Sequence, residues 1–252
     1  MARGATYILA LAVPFFPMAP AQGACRDDAL SHGRMASLAD DRALVLADGR
    51  RLILAGIEPP GIAPSRLDQM IGGDSFTFRE LPPADRYGRM PALAFADGAD
   101  APLQSAVLAQ GQSRLTPFGL ARLPEGCRAA LRAAETAARL AKLGVWGDPR
   151  YAMRHADRAA DLLKDRGHMT VAEGRVISVR ESGGVIYVNF GRRWSQALTV
   201  TVLKRNEKTL TAAGLAPRLL ENRRIRVRGW VEERNGPRIE VSVPEQIEMA
   251  DK

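Results

Sequence analysis

Soft metal ligands are scarce in this chain. Two cysteines and three histidines are spread over 252 residues. His32, His155 and His168 share no spacing with Cys25 or Cys127 that would build a zinc site. Aromatic residues make up only 6% of the chain, which points to no special fold. No run in the mature chain is long and apolar enough to cross a bilayer, which leaves an uncut N-terminal segment as the one anchor open to it. Acidic residues are in deficit: 28 Asp and Glu face 36 Lys and Arg, a formal charge of +8. A basic protein is drawn to polyanions such as nucleic acid, anionic lipid or acidic glycans. The excess lies from Lys164 onward. The 46% hydrophobic content suffices for ordinary globular cores.

The N-terminus reads as a secretory signal peptide over residues 1–21. Arg3 supplies the positive start, residues 7–16 are apolar, and Ala19-Pro20-Ala21 is a small-x-small cleavage signal. Export places the mature protein in the periplasm or outside the cell. There, Cys25 and Cys127 are expected to form one disulfide. Closing a loop of ~100 residues stabilises by about 4–5 kcal/mol in the chain-entropy model.

Two globular units are expected, over residues 25–147 and 169–250, joined by a linker helix over residues 148–168. In the first, residues 43–57 read as a hairpin around Asp48-Gly49. Short strands follow at residues 75–80 and 90–95. Helices are expected at residues 65–71, 103–110 and 127–143, the last with Leu131, Ala134, Ala138 and Ala141 as its inner stripe. The second unit reads as strands at residues 171–179, 185–190 and 197–203, a short helix at 208–213, and strands at 223–231 and 238–243. Three strands, a helix and two strands is the order of a small OB-type barrel.

Four segments of the first unit line up, in order, with one family. They are Leu54-Ala55-Gly56-Ile57-Glu58-Pro59-Pro60, Asp85-Arg86-Tyr87-Gly88-Arg89, Val107-Leu108-Ala109-Gln110-Gly111, and Ala134-Glu135 with Ala138-Arg139 and Gly144-Val145-Trp146. Residues 35–147 thereby resemble the staphylococcal-nuclease (thermonuclease) family. The resemblance implies an OB-fold barrel with appended helices, so the expected fold class is α+β: a nuclease-like barrel plus a second small OB-like barrel.

A nuclease of this kind needs guanidinium groups on the phosphate, a carboxylate to activate water, and oxygen ligands for calcium. The resemblance maps those roles onto residues that mostly lack the chemistry. The family's first arginine falls on Ile53, its catalytic glutamate on Gly61, and one metal-binding aspartate on Arg42. Another metal-binding aspartate falls on Glu58, and only the second arginine is retained, as Arg89. Arg51, two residues before Ile53 on the same strand face, is a candidate substitute that could reach toward Arg89. Asp40 and Asp41 are candidates to restore an acid. Losing one transition-state donor costs about 2.7–4 kcal/mol. The expectation is therefore an exported pseudonuclease, with no cofactor and with calcium only if the site were active.

The basic second unit carries the expected DNA or RNA contacts. Tyr187 points away from Ile186, Val188 and Phe190, and Arg192-Arg193-Trp194 follows it. Aromatics beside arginines make a stacking surface for single strands. Arg224, Arg226 and Arg228 alternate along a later strand and extend that basic face. The competing arrangement puts Trp194 and Trp230 inside the barrel and pairs the arginines with Glu232, Glu233 and Glu240. Two further functions stay open: an active phosphodiesterase using Arg89 with Arg51, and a structural periplasmic module that binds protein or cell wall.

Overall fold

The computed structural model describes residues 25–26, 30–59, 61, 63–73 and 75–250. The signal segment at residues 1–21 lies outside the described residues, as does Pro60 of the strand-end motif.

The first unit is a closed five-stranded barrel. Its strands are β1 (Ser31–Leu38), β2 (Leu44–Leu46), β3 (Arg51–Leu54), β4 (Ser75–Glu80) and β5 (Met90–Ala96). The order around the barrel is β1-β2-β3-β5-β4, and β4 pairs back onto β1. The β2–β3 hairpin turns where expected: Gly49 takes φ 86° and Asp48 accepts the Arg50 N–H at 3.0 Å. Proline-rich chain then breaks the ladder, and on its other edge β3 pairs in parallel with β5, skipping β4. Strand β1 was not anticipated, because its side chains are mostly exposed or half-buried and leave no hydrophobic alternation. Phe76, Phe78, Phe95, Leu44, Leu52 and Leu93 fill the interior.

Helices α1 (Pro64–Ile71), α2 (Leu103–Ala109), α3 (Pro117–Leu120) and α4 (Glu125–Leu140) cover the barrel. The Cys25–Cys127 disulfide forms as expected and ties the start of the described chain to the first turn of α4. Helix α4 buries Cys127, Leu131, Glu135 and Ala138, whereas Ala141 is exposed. The inner stripe therefore includes a carboxylate where alanine was expected. Beyond α4, the chain passes so close to Gly111 that a Cβ there would sit 2.1 Å from the Leu143 carbonyl oxygen. Gly111 also has φ 65°, so both sterics and backbone conformation call for glycine.

Residues 148–168 are not a linker helix. They hold a 3₁₀ turn at Pro149–Tyr151, the short strand β6 (Arg154–His155) and helix α5 (Ala159–Leu163). Pro149 stops α-helix continuation, Asp148 accepts the Arg150 N–H at 2.9 Å, and β6 pairs with the next strand. Ala156 and Leu162 are buried in the second core, so this segment belongs to the packing.

The second unit comprises β7 (Met169–Arg175), β8 (Ser178–Ser182), β9 (Val185–Asn189), β10 (Thr199–Leu203), α6 (Glu207–Ala212), β11 (Arg224–Trp230), β12 (Glu232–Glu233), β13 (Pro237–Val241) and β14 (Ile247–Met249). The strand expected over residues 171–179 is two strands in two sheets. Val176 donates its N–H to Arg223 beside β11, while the next residue, Ile177, donates to Asn189 in β9. Hydrogen bonding leaves the unit as a five-stranded sheet, β12-β13-β10-β9-β8, and a four-stranded sheet, β14-β11-β7-β6. Where a small OB-like barrel was expected, ladder hydrogen bonds form two separate sheets. The two sheets enclose one core that includes Ile186, Val188, Val200, Val227, Ile239 and Val241. Overall, the chain is α+β, with one closed barrel, a second two-sheet unit and flanking helices.

The two units dock. Ala138 and Trp146 from the first pack with Val171 of β7. Arg228 of β11 is only 3% exposed and reaches across to Glu135 of α4, which is 1% exposed.

Candidate functional site

The strand β3, the β1–β2 turn and the β4–β5 loop bring four charged residues together. Alternation along β3 leaves Arg51 and Ile53 half-buried on one face and Leu52 and Leu54 in the core. Arg51 Nη2 donates to Asp41 Oδ2 at 2.7 Å. Arg89 Nη1 donates to the same oxygen at 3.2 Å. Arg89 also grips Asp85 Oδ2 through Nε at 2.8 Å and Nη2 at 2.7 Å. Asp85 further accepts the Tyr87 and Arg89 N–H groups, which closes the loop. Arg51 and Arg89 therefore share the Asp41 carboxylate, which lies between them.

The electrostatics favour ionised carboxylates. Desolvation pushes the Asp41 carboxyl up, but the Ala43 N–H and the two guanidinium groups outweigh it and hold Asp41 below the usual carboxylate range. Asp85 behaves likewise: desolvation raises it, and the Arg89 hydrogen bonds and charge win, so it too is lowered. Both acids are ion-paired. Tyr87 is 58% exposed, with the Arg86 and Arg89 guanidinium groups over its ring at 4.8 and 5.2 Å.

Glu58 does not join this cluster. Arg114 takes both of its carboxylate oxygens, through Nε and Nη2, each at 2.8 Å. A calcium ion needs free oxygen donors that converge. Glu58 is occupied by Arg114, Asp41 by two arginines, and Gly61, which is exposed, offers no carboxylate. Among the described residues, no three His, Cys, Asp or Glu side chains group as a metal site. The donor set does not fit calcium.

In the second unit, Tyr187 lies on the outer face of β9, and Ile186 and Val188 are buried beneath. The rings of Tyr187 and Trp194 are stacked, with centroids 6.3 Å apart and an interplanar angle of 11°. Trp194 is 53% exposed and Trp230 is 56% exposed, so neither plugs the core. Arg192 and Arg193 are exposed beside Trp194 and share with it a shallow depression of about 410 Å³. Arg180, directly opposite Tyr187 on β8, is also exposed. It escaped notice in the sequence because only strand pairing places it there.

The expected basic stripe of β11 is a correction. Arg224 and Arg226 both close on Glu173 of β7, at 2.7 and 2.6 Å. Arg228 is buried between the units. Other expected acids find different partners: Glu232 pairs with Arg238 and Glu233 with Arg166. An alternating strand reveals which residues share a face, but not which element covers that face.

Arg228 and Glu135 form the most buried ion pair among the described residues. Arg228 donates to both Glu135 oxygens, at 2.9 and 2.5 Å, and to the Leu115 carbonyl at 3.0 Å. Glu135 accepts the Leu115 N–H at 2.7 Å. Burial pushes the Glu135 carboxyl up, and the Arg228 charge and hydrogen bonds overcome this, so it titrates below its ordinary range.

The chain matches no protein-family model and no curated protein sequence. No helix among the described residues is long and apolar enough to cross a membrane.

Proposed function

We propose that this is an exported, non-catalytic member of the thermonuclease type that binds single-stranded nucleic acid through its second unit. The observation that carries the reading is the exposed Tyr187–Trp194 stack flanked by Arg192 and Arg193. Every base has a π-face, and base–aromatic stacking contributes about 1–3 kcal/mol per base without sequence preference. The adjacent guanidinium groups supply phosphate contacts. The OB-like order of strands in this unit suits such a surface. Export is supported by the basic and apolar N-terminus ending at Ala19-Pro20-Ala21 and by the Cys25–Cys127 bridge.

The lack of turnover follows from the first unit. Asp41 and Asp85 are ion-paired with Arg51 and Arg89, which lowers both carboxyls and makes each a weaker base toward water. The position of the family's glutamate is Gly61. One observation favours a second reading, phosphodiester hydrolysis: two carboxylates do converge on Arg89. Nuclease activity in the purified mature chain that Arg89→Ala abolishes would establish that reading instead.

Fluorescence anisotropy with labelled oligothymidine tests the binding reading. Trp194→Ala should weaken binding by about 5- to 150-fold. Arg192→Ala should lower the salt slope by ~0.7 for the lost phosphate contact. Absence of salt-dependent binding would leave the structural, protein-binding reading.

A further inference from the structure

We propose that the cleft between the two units binds a nucleoside phosphate, either free or at the end of a strand. The cleft encloses about 870 Å³ and takes its walls from the first unit, residues 148–168 and the second unit. That volume lies in the range of small-molecule sites, about 300–1,000 Å³, which favour the boundaries between domains. The inference does not rest on strand binding at Tyr187 and Trp194, whose residues are outside this cleft.

Cations outnumber carboxylates in the lining, and their unused N–H donors suit an anion. Arg114, Arg150, Arg154 and Lys164 line the cleft against the carboxylates of Glu58 and Asp165. Two of the cations are fixed in place. Arg114 holds Glu58 through Nε and Nη2, and Arg154 holds Asp165 through Nε and Nη2 at 2.7 and 2.9 Å. Thr170 also donates to Asp165, at 3.0 Å, which orients that carboxylate. A guanidinium has five N–H donors, so each fork leaves its Nη1 edge outside the carboxylate pair. The other two cations can move. Arg150 and Lys164 pair with Asp148 and Asp161, but their side chains are 81% and 70% exposed. Exposed pairs of that kind exchange partners at little cost. Two rigid donors and two swinging ones suit a compact dianion, which a phosphomonoester is and a phosphodiester is not.

The rest of the ligand is set by the aromatic wall. Trp230, at the end of β11, is 56% exposed and lines the cleft. An indole face open to a pocket accepts a planar ring by stacking. Tyr151 is already engaged, with the Arg114 guanidinium 4.9 Å from its ring centroid. It serves to position that arginine. A phosphate with a base attached satisfies both ends of the site.

Calorimetric titration of the mature chain with AMP, adenosine, inorganic phosphate and a 5′-phosphorylated tetranucleotide tests this. AMP should bind, with adenosine and phosphate each weaker by at least about tenfold. Trp230→Ala and Lys164→Ala should each weaken AMP, while Lys208→Ala, which removes a like charge outside the cleft, should not. Thermal unfolding of each variant establishes that it folds. In the Trp194→Ala background, which removes the stacking surface outside the cleft, equal affinity for AMP and the tetranucleotide assigns the cleft to free nucleotides; tighter binding of the tetranucleotide that Lys164→Ala weakens assigns it to strand ends. The proposal is overturned if neither binds, if adenosine binds as well as AMP, or if Lys208→Ala weakens AMP as much as Lys164→Ala does.

Discussion

The buried pair between the two units invites the sharpest perturbation. Arg228→Ala leaves Glu135 at 1% exposure without its cation. Removing one partner of a buried pair costs about 3–5 kcal/mol, because the survivor is a buried uncompensated charge. The local geometry adds to this, since the Leu115 carbonyl loses its donor as well. At an m-value of about 3 kcal/mol/M, the urea midpoint should fall by about 1–1.7 M. The double variant Glu135→Leu/Arg228→Met is more informative. Replacing a buried ion pair by apolar side chains often gains about 1–4 kcal/mol. Here the pair also satisfies both the N–H and the C=O of Leu115. Orphaning two buried backbone groups costs about 1–3 kcal/mol each. The double variant should therefore be less stable than the parent by about 1–2 kcal/mol, yet more stable than Arg228→Ala. Urea unfolding followed by tryptophan fluorescence measures all three proteins. An Arg228→Ala cost below about 1 kcal/mol, or a double variant more stable than the parent, would refute the reasoning.

Acid should act on the same pair. The Glu135 carboxyl is lowered from its ordinary value of 4.5, so its contribution is complete above that pH and disappears as pH falls through the lowered value. The urea midpoint should hold near neutral pH and drop below about pH 4.5, and Glu135→Gln should show a shallower acid limb; equal limbs would contradict the assignment. Reducing or deleting the Cys25–Cys127 bridge, with a sequence separation of 102, should cost about 4–5 kcal/mol, read as a lower thermal midpoint in dithiothreitol than in buffer alone. Calcium or EDTA should shift that midpoint by less than about 1 °C, since a ligand bound at 100 times its Kd would add ~2.7 kcal/mol; a calcium-dependent rise would restore a metal site.

The first unit was legible in the sequence where short-range chemistry decides. Asp48-Gly49 marks its hairpin, β4 spans Ser75–Glu80 as expected, and a chain with two cysteines offers each of them one partner. Residues 148–168 were misread because charged, helix-forming residues over that span outweighed the signal of Pro149. Arg51 and Arg89 were legible as a pair, since one follows from strand alternation and the other from the loop motif. That Asp41 sits between them was not, because a turn residue has no periodicity to aim it.

The amino-acid sequence by itself determined which residues share a strand face, where the chain turns, and that charge would gather in the second half. Only the tertiary structure decided what those faces meet. Arg228 reads as one member of a basic stripe, but α4 covers it and supplies Glu135 from 93 residues away. Trp194 and Trp230 read equally well as core plugs, but both remain outside because smaller aliphatic side chains already fill the space between the sheets. The physical reason is common to both. Periodicity is a property of one element, whereas burial and charge neutralisation depend on whichever other element packs against it.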